Sequence, residues 1–114
     1  MSDQYSYGRE KEKKVARVLR GHGATVELMP GSRGPCDLKA YFPGGTVWYV
    51  EVKATRSGKP AALASKEMSR LKQSATKSGA TAVIAYVSRD KVEFFYARTM
   101  RPATPPRRTG SRKV

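Results

Sequence analysis

Hydrophobic and polar positions along the chain alternate between two periods. From Arg9 to Arg20 apolar residues recur at helix spacing (Val15, Val18, Leu19), and Gly21 and Gly23 follow as stop signals. Ala24 to Met29 alternates Val26 and Leu28 with Thr25 and Glu27, a strand pattern. Residues 30–35, Pro-Gly-Ser-Arg-Gly-Pro, form a loop on composition. Asp37–Phe42 and Thr46–Lys53 are strands joined at Pro43-Gly44-Gly45, a hairpin signal. Arg56–Pro60 is a polar loop. Ser65–Ser78 predicts a second helix, with Ser65 as N-cap, Met68, Leu71 and Ala75 as its stripe, and Gly79 beyond its end. Thr81–Val87 is an unbroken apolar run, hence a buried strand, and Val92–Ala97 is its hairpin partner across Ser88-Arg89-Asp90-Lys91. The order is α-β-β-β-α-β-β, an α/β fold whose mixed sheet has flanking helices. No internal repeat is present.

The first hairpin carries chemistry. Strand residues alternate faces, so Val47, Tyr49, Glu51 and Lys53 share one face and Trp48, Val50 and Val52 the other. A three-residue turn pairs Phe42 with Thr46, Leu38 with Val50 and Asp37 with Glu51. It also keeps Leu38, Ala40 and Phe42 on the apolar face. A two-residue turn would mix the faces, because a one-residue slip inverts every side chain. The three-residue register is therefore expected. It sets two carboxylates opposite each other, an arrangement that destabilises a sheet unless a cation sits between them. Two hard oxygen ligands suit Mg²⁺, with Mn²⁺ as a substitute. Lys53 would stand beside the metal, placed to orient a water or offset phosphate charge. The other reading is a surface salt-bridge cluster of Asp37, Glu51 and Lys53. Glu12 lies between Val15, Ala16 and Leu19 on the apolar face of the first helix. It is a third carboxylate for the site if that helix packs over the Glu51 face. Otherwise it snorkels at the rim or pairs with Lys13 or Lys14.

Charge adds a partner. Twenty-three basic residues against nine acidic ones give +14 over 114 residues, which points to a polyanion, nucleic acid first. Six basic residues and no acidic one fall between Arg98 and Val114, with Pro102, Pro105 and Pro106 among them. Residues 98–114 therefore read as a disordered basic tail, residues 1–8 as a flexible lead-in, and 9–97 as the folded domain. Cys36 is the single cysteine, which excludes a disulfide framework and a multi-cysteine zinc site and fits a reducing, cytoplasmic setting. No apolar run approaches a membrane span, and Met1-Ser2-Asp3-Gln4 lacks a signal-peptide opening. Arg9, Lys11 and Lys13 on the first helix, and Arg33, Arg56 and Lys59 on loops beside the site, are candidate DNA-phosphate contacts. His22 is expected in solvent and Cys36 in packing. Tyr86, Phe94, Phe95 and Tyr96 read as core or dimer interface, with stacking on unpaired bases as a lesser reading.

Asp37, a hairpin, then Glu51-Val52-Lys53 resembles the PD-(D/E)xK nuclease signature. The Gly8–Lys13 opening, the Gly21-His22-Gly23 turn, the Gly31-Ser32-Arg33 loop and Lys77-Ser78-Gly79-Ala80 together resemble archaeal-type Holliday-junction resolvases, over about residues 8–97. The resemblance implies a restriction-endonuclease-like core, a homodimer, and Mg²⁺-dependent hydrolysis at four-way DNA junctions. Carried over by position, it implies Glu12, Asp37, Glu51 and Lys53 as catalytic, with Ser32 accessory. Asp37, Glu51 and the Val52 carbonyl would hold the metal. Two departures stand out: Cys36 separates Pro35 from Asp37, and Glu67 occupies a position where resolvases often have glutamine. Another endonuclease of this superfamily acting on duplex or nicked DNA, and a non-catalytic DNA-binding module, are the alternatives.

Overall fold

The computed structural model describes residues 3–29, 36–54, 65–89 and 91–106, with side chains in the first helix from Glu10 onward. Helix α1 (Asp3–Gly21) leads into β1 (Thr25–Leu28), β2 (Leu38–Tyr41), β3 (Val47–Ala54), α2 (Ser65–Ser78), β4 (Thr81–Val87) and β5 (Val92–Tyr96). The expected order holds. Helix α1 begins within the segment read as a loose lead-in.

Both helices stop by the same device. After α1 the Ala24 N–H donates to the Leu19 carbonyl at 3.1 Å and Gly23 N–H to Arg20 at 2.9 Å, with Gly23 at φ +95°. After α2 the Ala80 N–H donates to Ala75 at 2.7 Å and Gly79 N–H to Thr76 at 3.2 Å, with Gly79 at φ +71°. This is the Schellman closure, in which a left-handed residue turns the chain back onto the last carbonyls.

The strands form one sheet in the order β1-β2-β3-β4-β5. Only β3 and β4 are parallel, with α2 as their crossover. Leu38 pairs with Val50 and Ala40 with Trp48, and Phe42 N–H donates to the Thr46 carbonyl at 2.8 Å, so the turn has three residues as the patterning required.

Each sheet face buries its own cluster. On one, Leu38, Ala40, Phe42, Trp48 and Val50 meet Val15 and Leu19 of α1. Trp48 lies 5.2 Å from Phe42 and 5.6 Å from Phe94, ring centre to ring centre. On the other, Tyr49, Ala82, Ile84 and Tyr86 meet Leu71 and Ala75 of α2. Tyr86 and Phe94 are buried and Phe95 and Tyr96 partly so, which makes this aromatic group core and leaves little of it for base stacking. Lys14 ties α1 to the β4–β5 turn by donating to the Ser88 and Arg89 carbonyls at 3.3 and 2.9 Å.

The domain does not end at residue 97. Ala103 is buried, and its N–H donates to the Phe94 carbonyl at 2.8 Å. Tyr96 N–H donates to Arg101 at 2.9 Å, and Pro102 bridges antiparallel to Phe95. The first residues of the expected tail thus cover the β5 edge and satisfy its backbone groups. Residues 107–114, the rest of that tail, lie outside the described part. No helix among the described residues is long and apolar enough to cross a membrane.

Candidate active site

The unequal lengths of β2 and β3 create the site. Strand β2 pairs with β3 only over Val47–Val50, so β3 runs on past its neighbour. Asp37 sits where β2 would continue. Its N–H donates to the Val50 carbonyl at 2.9 Å. Its Oδ2 accepts the Val52 N–H at 2.8 Å, replacing the carbonyl a longer β2 would have offered. The side chain is thereby held by the backbone of the strand that carries Glu51.

Asp37 and Glu51 lie within hydrogen-bonding reach of each other. Burial, then the Asp37 and Glu67 carboxylates, push the Glu51 carboxyl up from its ordinary 4.5 to about 7, against the pull of Lys53. Burial also raises Asp37, although the Val52 N–H and Lys53 favour its ionised form. The Glu51 hydrogen bond also favours ionised Asp37, and Lys53 favours the charged form of both half-buried carboxyls, but burial outweighs these. The Lys53 Nζ stands 3.2 Å from Glu67 Oε1, in the first turn of α2. A closed salt bridge of Asp37, Glu51 and Lys53 is not what the chain forms.

Helix α1 does not cover the Glu51 face. Its apolar stripe meets the fully apolar Trp48/Val50 face, where it buries more than it could against a face holding Glu51 and Lys53. The condition set for Glu12, that this helix pack over the Glu51 face, is thus not met, although the Glu12 carboxylate still raises Glu51. Glu12 is half-buried and adds last and least to the field that raises Glu51. The carboxylate brought over that face is Glu67, because α2 returns across β3 and β4 as their crossover. The sequence shows Glu67 as an unusual residue, and only the tertiary path shows its contact with Lys53.

Among the described residues no three His, Cys, Asp or Glu side chains converge as a ready metal cage. Asp37 and Glu51 supply two hard oxygen ligands, the number Mg²⁺ takes from protein when waters and phosphate oxygens complete its shell. Their mutual repulsion is what a divalent cation relieves. The donor set fits.

The other candidates divide. Lys11 is half-buried, and Lys13 is exposed with its Nζ 4.0 Å from Glu10 Oε2. Ser32, Arg33, Arg56, Lys59 and the Arg9 side chain lie outside the described residues. His22 is exposed, as expected. Cys36 is buried, and burial pushes its thiol up to about 12, which leaves it no thiolate for nucleophilic chemistry.

Comparison with solved structures places Archaeoglobus fulgidus Hjc, a Holliday junction resolvase from an archaeal hyperthermophile, over this chain with a TM-score of 0.70 and 26% identity, across 79% of this chain and 77% of that one. No curated protein matches. The family described as "REase associating with pPIWI_RE" matches residues 10–112. That span includes the Asp37/Glu51/Lys53 constellation and α2. On this match and this restriction-endonuclease-like fold, the chain belongs to the REase family associating with pPIWI_RE.

Proposed function

We propose that this chain is a divalent-metal-dependent DNA endonuclease acting on four-way junctions. The observation that carries the chemistry is the half-buried Asp37–Glu51 pair, both carboxyls raised by burial, beside Lys53. Asp37 and Glu51 hold Mg²⁺, or Mn²⁺ in its place, with the Val52 carbonyl as a further oxygen. When bound, the ion polarises the scissile phosphate and acidifies a water. Val52 N–H fixes Asp37 through Oδ2, so that Oδ1 keeps a set direction. Lys53 offsets the negative charge that develops on the phosphate oxygens. Glu67 holds the Lys53 ammonium while the site waits for DNA. Glu12 adds negative field at the margin. Ser32, as an accessory residue, and Arg9, Lys11, Lys13, Arg33, Arg56 and Lys59, as phosphate contacts, complete the set we assign to DNA.

The likeness to the archaeal resolvase supports the junction as substrate. Resolving a two-fold junction takes two copies. Symmetric cuts need two paired active sites, so the acting form is a homodimer. The family match favours a second reading, a restriction-type cut in duplex DNA in company with a pPIWI_RE partner. The test is Asp37→Ala. Cleavage of a four-way junction in Mg²⁺ is lost while junction affinity stays near wild type. Unchanged turnover would remove the metal-site argument.

A further inference from the structure

Away from the carboxylates, an open groove of about 780 Å³ runs along α2 and is lined by Lys72, Lys77 and Arg98. A hollow of about 410 Å³ continues it toward the start of α2, where Lys66 and Arg70 stand. Another, of about 510 Å³, continues it past Arg98 toward Thr99 and the start of β4. The three share Gln73 and Ser74 at one join and Lys72, Thr76 and Arg98 at the other, so they form one track.

Among the described residues, five cations and no carboxylate line this track. The one acidic residue of α2, Glu67, is paired with Lys53 at the catalytic face instead. Leu71 and Ala75 face the core, so Lys66, Arg70, Lys72 and Lys77 lie away from it on the same helix, and Arg98 joins them from beyond β5. Arg98 is fixed across the groove by donating to Thr76 Oγ1 at 2.8 Å. Five like charges along one track repel one another, and a polyanion relieves that. Asp37, Glu51 and Lys53 line none of the three hollows. From Glu67 beside Lys53 to Lys77 the helix rises about 15 Å, close to half a turn of B-DNA.

We propose that this track is a second DNA-backbone site. It holds the phosphates of the arm that leads away from the cleaved bond. This rests on the nuclease reading and extends it to a face remote from the chemistry. Cations, hydroxyls and an amide give it grip without base readout, so it positions DNA of any sequence.

The test measures binding on the full chain carrying Glu51→Ala to silence cleavage. Fluorescence anisotropy follows a labelled four-way junction and a labelled 24-bp duplex between 50 and 300 mM salt. Lys66→Ala, Arg70→Ala and Lys77→Ala are then combined. All three positions are exposed and helical, where alanine is tolerated. Removing three phosphate contacts lowers the slope of log K against log salt by about 2–3. A slope within half a unit of the parent overturns the proposal. If the triple variant melts early, Lys66→Gln with Lys77→Gln is read the same way, with a loss of about 2. Cleavage by the Glu51 parent sequence is scored separately. A chain that loses slope but cuts no DNA keeps the track and removes the nuclease reading. Cutting by the Glu51 sequence with an unchanged slope in the variants does the reverse.

Discussion

Replacing Glu51 with glutamine removes the charge this fold holds at greatest expense while preserving the side chain's volume. The shift from 4.5 to about 7 corresponds to about 3 kcal/mol between the ionised and neutral forms. Glu51 keeps partial contact with water, and screening there reduces the figure to roughly 1–2 kcal/mol. The sign follows from proton counts. Between pH 4.5 and about 7 the folded carboxyl keeps a proton that the unfolded one has lost, so stability falls as pH rises through that window. Above it the full penalty remains, and below pH 4.5 it vanishes. Glu51→Gln should therefore melt higher than wild type at pH 8, by roughly 5–10 °C for a domain of this size, and equally with it at pH 4. The assay is thermal melting by circular dichroism at both pH values, repeated with Mg²⁺. The ion at ten times its Kd should stabilise wild type by about 1.4 kcal/mol and the variant far less. A glutamine variant that melts no higher than wild type at pH 8 would refute the argument that these carboxylates repel in a desolvated site.

Other consequences follow from the same geometry. Glu67 raises both Asp37 and Glu51, so Glu67→Gln should move the acid limb of the pH–rate profile to lower pH; a profile that stays put would show that Glu67 does not act on the site. A chain ending at residue 106 should melt like the full chain. One ending at 97 loses Ala103 burial and the hydrogen bonds covering β5, and should be less stable by roughly 2–4 kcal/mol. Equal melting of the two would contradict the edge-covering role of residues 101–103. The chain ending at 106 also lacks Arg107, Arg108, Arg112 and Lys113, and its salt slope in DNA binding should be shallower if these meet phosphates.

Patterning exposed most of the fold because burial and local geometry agree over its length. The α2 and β4 boundaries follow from caps, a glycine stop and an unbroken apolar run, signals within a few residues of the ends they set. The hairpin register was legible because the alternative would have put Leu38 beside Glu51. The start of α1 was not, since the residues from Asp3 to Gly8 have no apolar period and carry a glycine. Nor was the covering of β5. Arg101, Pro102 and Ala103 attach mainly through main-chain hydrogen bonds, to which composition is blind. In the site, the facing of Asp37 and Glu51 follows from strand alternation together with the three-residue turn that sets the register. The choice of sheet face by each helix is a tertiary decision. Spacing displays the stripe of α1 but not which face it meets, so the sequence leaves Glu12 between the site and the rim and gives no sign that α2 brings Glu67 to Lys53.

The central claim is that Asp37, Glu51 and Lys53 cut DNA. Its most direct test incubates the wild-type chain and Glu51→Ala with a synthetic four-way junction and with linear duplex of the same arm sequence, with and without Mg²⁺. Paired, symmetric nicks should appear in the junction and require both Mg²⁺ and Glu51. Equal cutting of the duplex would keep the nuclease and discard the junction. Tight binding with no cutting of either substrate would contradict the claim and leave a DNA-binding module.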